Sequence, residues 1–66
     1  MRLTVNGRDF DADRELSVEA LVESLTEARR GVAVAVNGTV VPRSTWATAA
    51  LTDGDAVEVL TAAQGG

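Results

Sequence analysis

Val32-Ala33-Val34-Ala35-Val36-Asn37-Gly38 is the stretch on which the fold turns. Five apolar residues in a row, β-branched at every other position, read as a central strand. Asn37-Gly38 follows, the preferred pair for a two-residue hairpin loop with positive φ at both positions. Thr39-Val40-Val41 is then the short returning strand, stopped by Pro42, which has no amide hydrogen to give a ladder. The same pattern stands at the start of the chain. Met1-Arg2-Leu3-Thr4-Val5 alternates apolar and polar residues, Asn6-Gly7 repeats the turn, and Arg8 to Asp13 alternates again. Phe10 and Ala12 point to one side of that second strand. Asp9, Asp11 and Asp13 point to the other, where three carboxylates on an extended ribbon form a solvated face rather than a converging cation site.

Between the two strand pairs lies a helix. Ser17 is a good N-cap, and Val18, Leu21, Val22 and Leu25 make one apolar stripe at helical spacing. Leu16 stands where it can pack on Leu21 as a hydrophobic staple. Glu19 in the first turn and Arg29-Arg30 in the last would complement the helix dipole, with Gly31 as the left-handed stop. Glu19, Glu23 and Glu27 leave an acidic exposed side. Arg43 to Ala50 is irregular or a single helical turn carrying Trp46, a residue expected to lid one end of the core. Arg43 is left either to a nearby carboxylate or to a partner. Asp53-Gly54-Asp55 is a turn, and Ala56 to Thr61 is the last strand.

A helix between two strand pairs in so short a chain must cover one face of a mixed sheet. The expected fold is α+β, a ubiquitin-like β-grasp: four to five strands, one main helix on one face, and the first and last strands parallel in the middle. Leu3, Val5, Phe10, Val32, Val34, Val36, Val57 and Val59 would then meet Val18, Leu21, Val22 and Leu25 across the core. The uncovered face would carry Ala33, Ala35, Glu58 and Leu60. Such a row of small and apolar residues suits a docking surface. Residues 1–66 are expected to form one domain, with 62–66 as a flexible Gly-Gly tail.

Composition removes whole classes of function. The 66 residues include no cysteine, histidine or tyrosine, and the six cations are all arginine. Thiol and imidazole nucleophiles, Schiff-base lysines and Cys/His metal sites are therefore absent, and no catalytic or metal-ligating set is expected. A net charge of −4 does not suit a phosphate backbone, which needs a basic patch to release counterions. No apolar run approaches a membrane span and no signal peptide is visible. With no disulfide and no export signal, a cytoplasmic location is expected. What remains is the end: Thr61-Ala62-Ala63-Gln64-Gly65-Gly66, six residues that reach roughly 20 Å when extended. Two terminal glycines give a thin carboxylate able to enter a narrow site in another protein.

Taken together, Val5-Asn6-Gly7, Gly31 through Gly38, Val41-Pro42-Arg43-Ser44 with Trp46, Asp53-Gly54-Asp55 and Gln64-Gly65-Gly66 occur in an order that resembles the ThiS family. These are sulfur carrier proteins of thiamin biosynthesis within the ubiquitin-like group, and the likeness spans nearly the whole chain. Ser17 stands where a threonine is common in the family.

The resemblance implies a carrier acted on by partner enzymes, with no cofactor of its own. An E1-like adenylating enzyme of the ThiF type would use ATP and magnesium to adenylate the carboxylate of Gly66. Sulfur from a cysteine desulfurase or related donor would replace AMP and leave a thiocarboxylate. A thiazole synthase of the ThiG type would accept the sulfur. Gly65, Gln64 and Ala63 would thread partner active sites, and Leu60, Ala33, Ala35 and Glu58 would contact the partner's surface. Alternative readings are a molybdopterin synthase small-subunit-like carrier, a ubiquitin-like protein modifier, or a non-catalytic β-grasp binding module.

Overall fold

The structure is a computed structural model that describes residues 1–27 and 30–61. Five strands form one sheet: β1 (Arg2–Val5), β2 (Arg8–Asp11), β3 (Val32–Val36), β4 (Thr39–Val40) and β5 (Ala56–Thr61). One helix, α1 (Val18–Leu25), follows β2, and a 3₁₀ turn at Arg43–Thr45 follows β4. The spatial order is β2-β1-β5-β3-β4. β1 and β5 are parallel, while β1–β2, β3–β4 and β3–β5 are antiparallel. This is the expected β-grasp.

Both Asn-Gly pairs form the hairpins read from sequence. Asn6 and Asn37 each have φ of 52°, and Gly7 and Gly38 follow at 81° and 84°. Positive φ at both central residues matches the twist of the strands the turns join. Each turn fixes register. Leu3 faces Phe10 across the first hairpin, and Val36 faces Thr39 across the second.

The covered face of the sheet meets α1 through Leu3, Val5, Val34, Val57 and Val59 against Val18, Leu21 and Val22. Phe10, Val32 and Val36 are half-buried against this cluster. Ala12 is buried as the period-two pattern requires, and Asp9, Asp11 and Asp13 are exposed. Trp46 closes one end of the core at 5% exposure, its indole N–H donating to the Val41 carbonyl at 2.9 Å. Leu51 is also buried, a core position that the helix and strand patterns did not mark.

The helix start agrees with its sequence. Ser17 Oγ accepts from the Ala20 amide at 3.1 Å. The neighbouring orphan donors are met from the loop after the 3₁₀ turn, Val18 N–H by the Ala49 carbonyl at 2.8 Å and Glu19 N–H by that of Trp46 at 3.2 Å. Three of the orphan donors of this terminus are thus occupied by the protein itself. The Leu16 carbonyl accepts from Leu51 N–H at 2.9 Å, which draws Leu16 and Leu51 together over the core.

The helix end departs from expectation. It stops at Leu25, and Thr26 is already extended at φ −153°, its N–H donating to the Val22 carbonyl. Ser24 Oγ donates back to the Leu21 carbonyl at 2.7 Å, a contact that competes with helical pairing. Thr26 is β-branched and loses rotamer freedom in a helix. The last turn therefore carries no basic residue. Arg30 lies outside the helix, Arg29 lies outside the described residues, and the dipole role expected of the pair is not played by Arg30. Gly31 does take positive φ, 71°, but as the entry to β3. Leu25, at the helix end, is 43% exposed, so the fourth residue of the expected stripe is not in the core.

Candidate functional site

The site is best built from β5. This strand sits between β1 and β3, and its alternation sends Val57 and Val59 into the core and Ala56, Glu58 and Leu60 to the uncovered face. Register then assembles the expected docking residues. Ala33 lies opposite Leu60, and Ala35 lies opposite Glu58. Leu60 is 66% exposed, Ala33 and Glu58 are exposed, and Ala35 is half-buried. The four residues named from sequence thus share one face.

A fifth residue belongs with them. Val40 pairs with Ala35 from β4 and is 71% exposed. Its signal lay in the turn: a two-residue Asn37-Gly38 loop sets Val36 against Thr39 and so Ala35 against Val40. Across β5 the same face becomes polar. Thr4 lies beside Ala56, Asp9 beside Thr4, and Asp11 beside Arg2. The uncovered face is therefore apolar toward β3–β4 and charged toward β1–β2.

Side-chain amides hold β5 in place. Asn6 Oδ1 accepts from Val59 N–H at 2.8 Å, and Asn6 Nδ2 donates to the Val59 carbonyl at 3.1 Å. Asn37 does the equivalent at the strand's start, where its Oδ1 accepts from Ala56 N–H at 3.0 Å and its Nδ2 donates to Asp55 Oδ1 at 3.0 Å. Asp55 Oδ2 also accepts from Thr52 N–H at 2.8 Å. That amide, aided by Asn37, holds the Asp55 carboxyl below the ordinary aspartate value, against a smaller opposing effect of burial. Asp53 Oδ1 accepts from Arg2 N–H at 2.7 Å and ties the Asp53-Gly54-Asp55 turn to β1.

Two shallow grooves flank the helix. One, of about 610 Å³, runs past Glu19, Glu23, Glu27, Val22 and Trp46, with the Arg43 guanidinium 5.2 Å from the centre of the Trp46 ring. This is a cation–π distance, so Arg43 caps the tryptophan. The other, of about 590 Å³, lies where β5 ends, between Phe10, Leu25, Val59 and Thr61. Leu25 makes one wall of it. Gly66, Gly65, Gln64 and Ala63, the tail residues named from sequence, lie outside the described residues. Their root is Thr61, paired with Val32 at the end of β5. Among the described residues no helix is long and apolar enough to cross a membrane.

Comparison with known proteins agrees with this geometry. The model of the ThiS family matches residues 3–66. The chain belongs to the ThiS family. Over 66 residues it is 38% identical to a protein from Paramagnetospirillum magneticum named thiazole synthase. All of this chain is covered but only 20% of that relative, so the chain spans about a fifth of its length. Among solved structures it is similar to the crystal structure of a thiamine biosynthesis protein (ThiS) from Geobacter metallireducens, at 39% identity and a TM-score of 0.82, with the whole of both chains covered. It is equally similar to a solution structure of a thiamine biosynthesis protein from that organism, with 39% identity, a TM-score of 0.83, and all of this chain and 88% of that one covered. For this ThiS-family chain the likeness thus holds for sequence and fold together.

Proposed function

We propose that this ThiS-family chain is a sulfur carrier for thiamin biosynthesis, a protein substrate of partner enzymes rather than a catalyst. The observation that carries the proposal is the position of β5. It lies at the middle of the sheet, presents Leu60 beside Ala33 on the uncovered face, and leads from Thr61 directly into Ala62-Ala63-Gln64-Gly65-Gly66. A carboxylate is a poor electrophile at neutral pH. Adenylation of Gly66 by an E1-like enzyme using ATP and magnesium joins that carboxylate to phosphorus, expels pyrophosphate and creates a good leaving group. Persulfide sulfur supplied through a cysteine desulfurase then attacks the acyl carbon and expels AMP. A thiol reductant cleaves the S–S bond of the resulting acyl disulfide, and the thiocarboxylate left on Gly66 is the donor for a thiazole synthase. The matching segment within a relative named thiazole synthase supports that acceptor.

Magnitudes favour a broad contact. Holding five residues extended in a partner's channel costs roughly 5–10 kcal/mol of backbone entropy. Offsetting this takes about 200–400 Å² of apolar burial at ~25 cal/mol per Å², more than Leu60 alone presents. Ala33, Ala35 and Val40 therefore belong to the docking surface, with Glu58 at its charged side.

Intact mass spectrometry tests the reading. The protein is incubated with an ATP-dependent activating enzyme, magnesium-ATP and a sulfur source. Replacement of one terminal oxygen by sulfur is the expected result. Replacing Gly65 by Trp should abolish the change while leaving the melting curve as it was. A thiazole-forming assay with the charged carrier then distinguishes thiamin from molybdopterin chemistry. Unaltered mass of the wild-type chain under activating conditions would sink the proposal.

A further inference from the structure

Backbone pairing between β1 and β5 ends at a definite point. Asn6 N–H donates to the Val57 carbonyl at 2.8 Å, and at φ 52° the main chain then turns away into the first hairpin. A continuing parallel ladder would next offer β5 one acceptor and one donor. Both come instead from the Asn6 side chain, whose carboxamide meets the N–H and the carbonyl of Val59. Thr61, the last residue of β5, is two positions on. On the β3 side this end is held by backbone pairing as far as Val32 and Thr61.

We propose that Asn6 is a positioning residue for the C-terminal tail, its carboxamide standing in for a missing peptide unit and fixing where β5 delivers residues 62–66. The proposal rests on the carrier reading for its consequence, but its geometry does not. Asparagine meets both demands of the position. It tolerates left-handed backbone, and it carries a donor and an acceptor side by side. Asn37 provides an internal control. It has the same φ in the same turn, but its carboxamide reaches Ala56 and Asp55 at the opposite end of β5. Asn6 does not lie on the docking face, and Leu60 keeps its pairing with Ala33 whether or not the carboxamide is present. Loss of Asn6 should therefore misplace the tail without undoing docking.

Asn6→Gly and Asn37→Gly both permit positive φ and remove the carboxamide with its methylene, so the added backbone freedom is common to the two variants. Amide hydrogen exchange is expected to quicken at Val59 and Leu60 in Asn6→Gly and not in Asn37→Gly. With an ATP-dependent activating enzyme, read by pyrophosphate release, Asn6→Gly should lower kcat on the order of tenfold and leave KM within about twofold. Asn37→Gly should leave kcat as in the parent. Asn6→Asp adds a pH signature, since its carboxylate opposes the Val59 carbonyl at pH 7. Below about pH 4 the protonated acid again offers one donor and one acceptor, and exchange at Val59 and Leu60 should return to the rate of the parent at that pH. Equal exchange and equal kcat in the two glycine variants would overturn the proposal. Failure of the wild-type chain to be adenylated would remove the carrier reading instead, and the exchange comparison would still decide whether Asn6 holds the end of β5.

Discussion

Trp46 shows how much one side chain can hold in a small core. It is nearly fully buried, and its N–H satisfies the Val41 carbonyl. Trp46→Phe keeps most of the apolar volume but leaves that carbonyl without its donor, at a cost of about 1–3 kcal/mol. For a domain of this size each kcal/mol is worth roughly 4–8 °C, so calorimetric melting should show a drop of at least about 4 °C. Asp55 contributes through charge. The Thr52 amide holds its carboxyl below the ordinary aspartate value, so the ionised form is favoured by folding. The stability it adds is present at neutral pH and lost as pH falls through that lowered value. The stability difference between Asp55→Ala and the parent, from urea unfolding, should be large at pH 7 and shrink below about pH 4.

Among the elements, the turns were the most legible part of the sequence and the helix end the least. Asn-Gly specifies a backbone conformation by itself, so both hairpins and the register of Ala35 with Val40 follow from local chemistry. In Gly38 the Cβ of an alanine would meet nothing within 4 Å, and only the φ of 84° opposes it. Gly38→Ala should therefore cost about 1–2 kcal/mol of purely backbone origin, measurable by chemical denaturation. Arg29-Arg30-Gly31, by contrast, has the look of a helix terminus, yet the chain leaves the helix at Thr26. Nothing in the apolar spacing distinguishes Leu25 from Leu21. What separates them is the back-bonding of Ser24 and the extended backbone of Thr26 just beyond Leu25. Leu51 was illegible for a related reason, since its burial depends on a backbone bond to Leu16, 35 residues earlier. The docking residues were legible because strand alternation assigns faces. The carboxamide bonds to β5 were not, because their partners are remote in sequence.

At the scale of the molecule, the helix covers one face of the sheet and leaves Leu60, Val40, Ala33 and Ala35 on the other. Leu60→Arg replaces a mostly exposed side chain, so stability should change by no more than about 0.5 kcal/mol. Affinity for the activating enzyme should fall, and titration calorimetry beside a melting curve checks both halves of that expectation. Unchanged affinity would remove Leu60 from the interface.

The placement of β5 has a mechanical consequence as well. Its neighbours flank it on both sides, and the bonds to them run across the strand axis. A pull applied beyond Thr61 acts along that axis and loads those bonds in shear, so they must fail together instead of peeling in succession. Tension on such a handle can therefore be high while the body behind it stays folded.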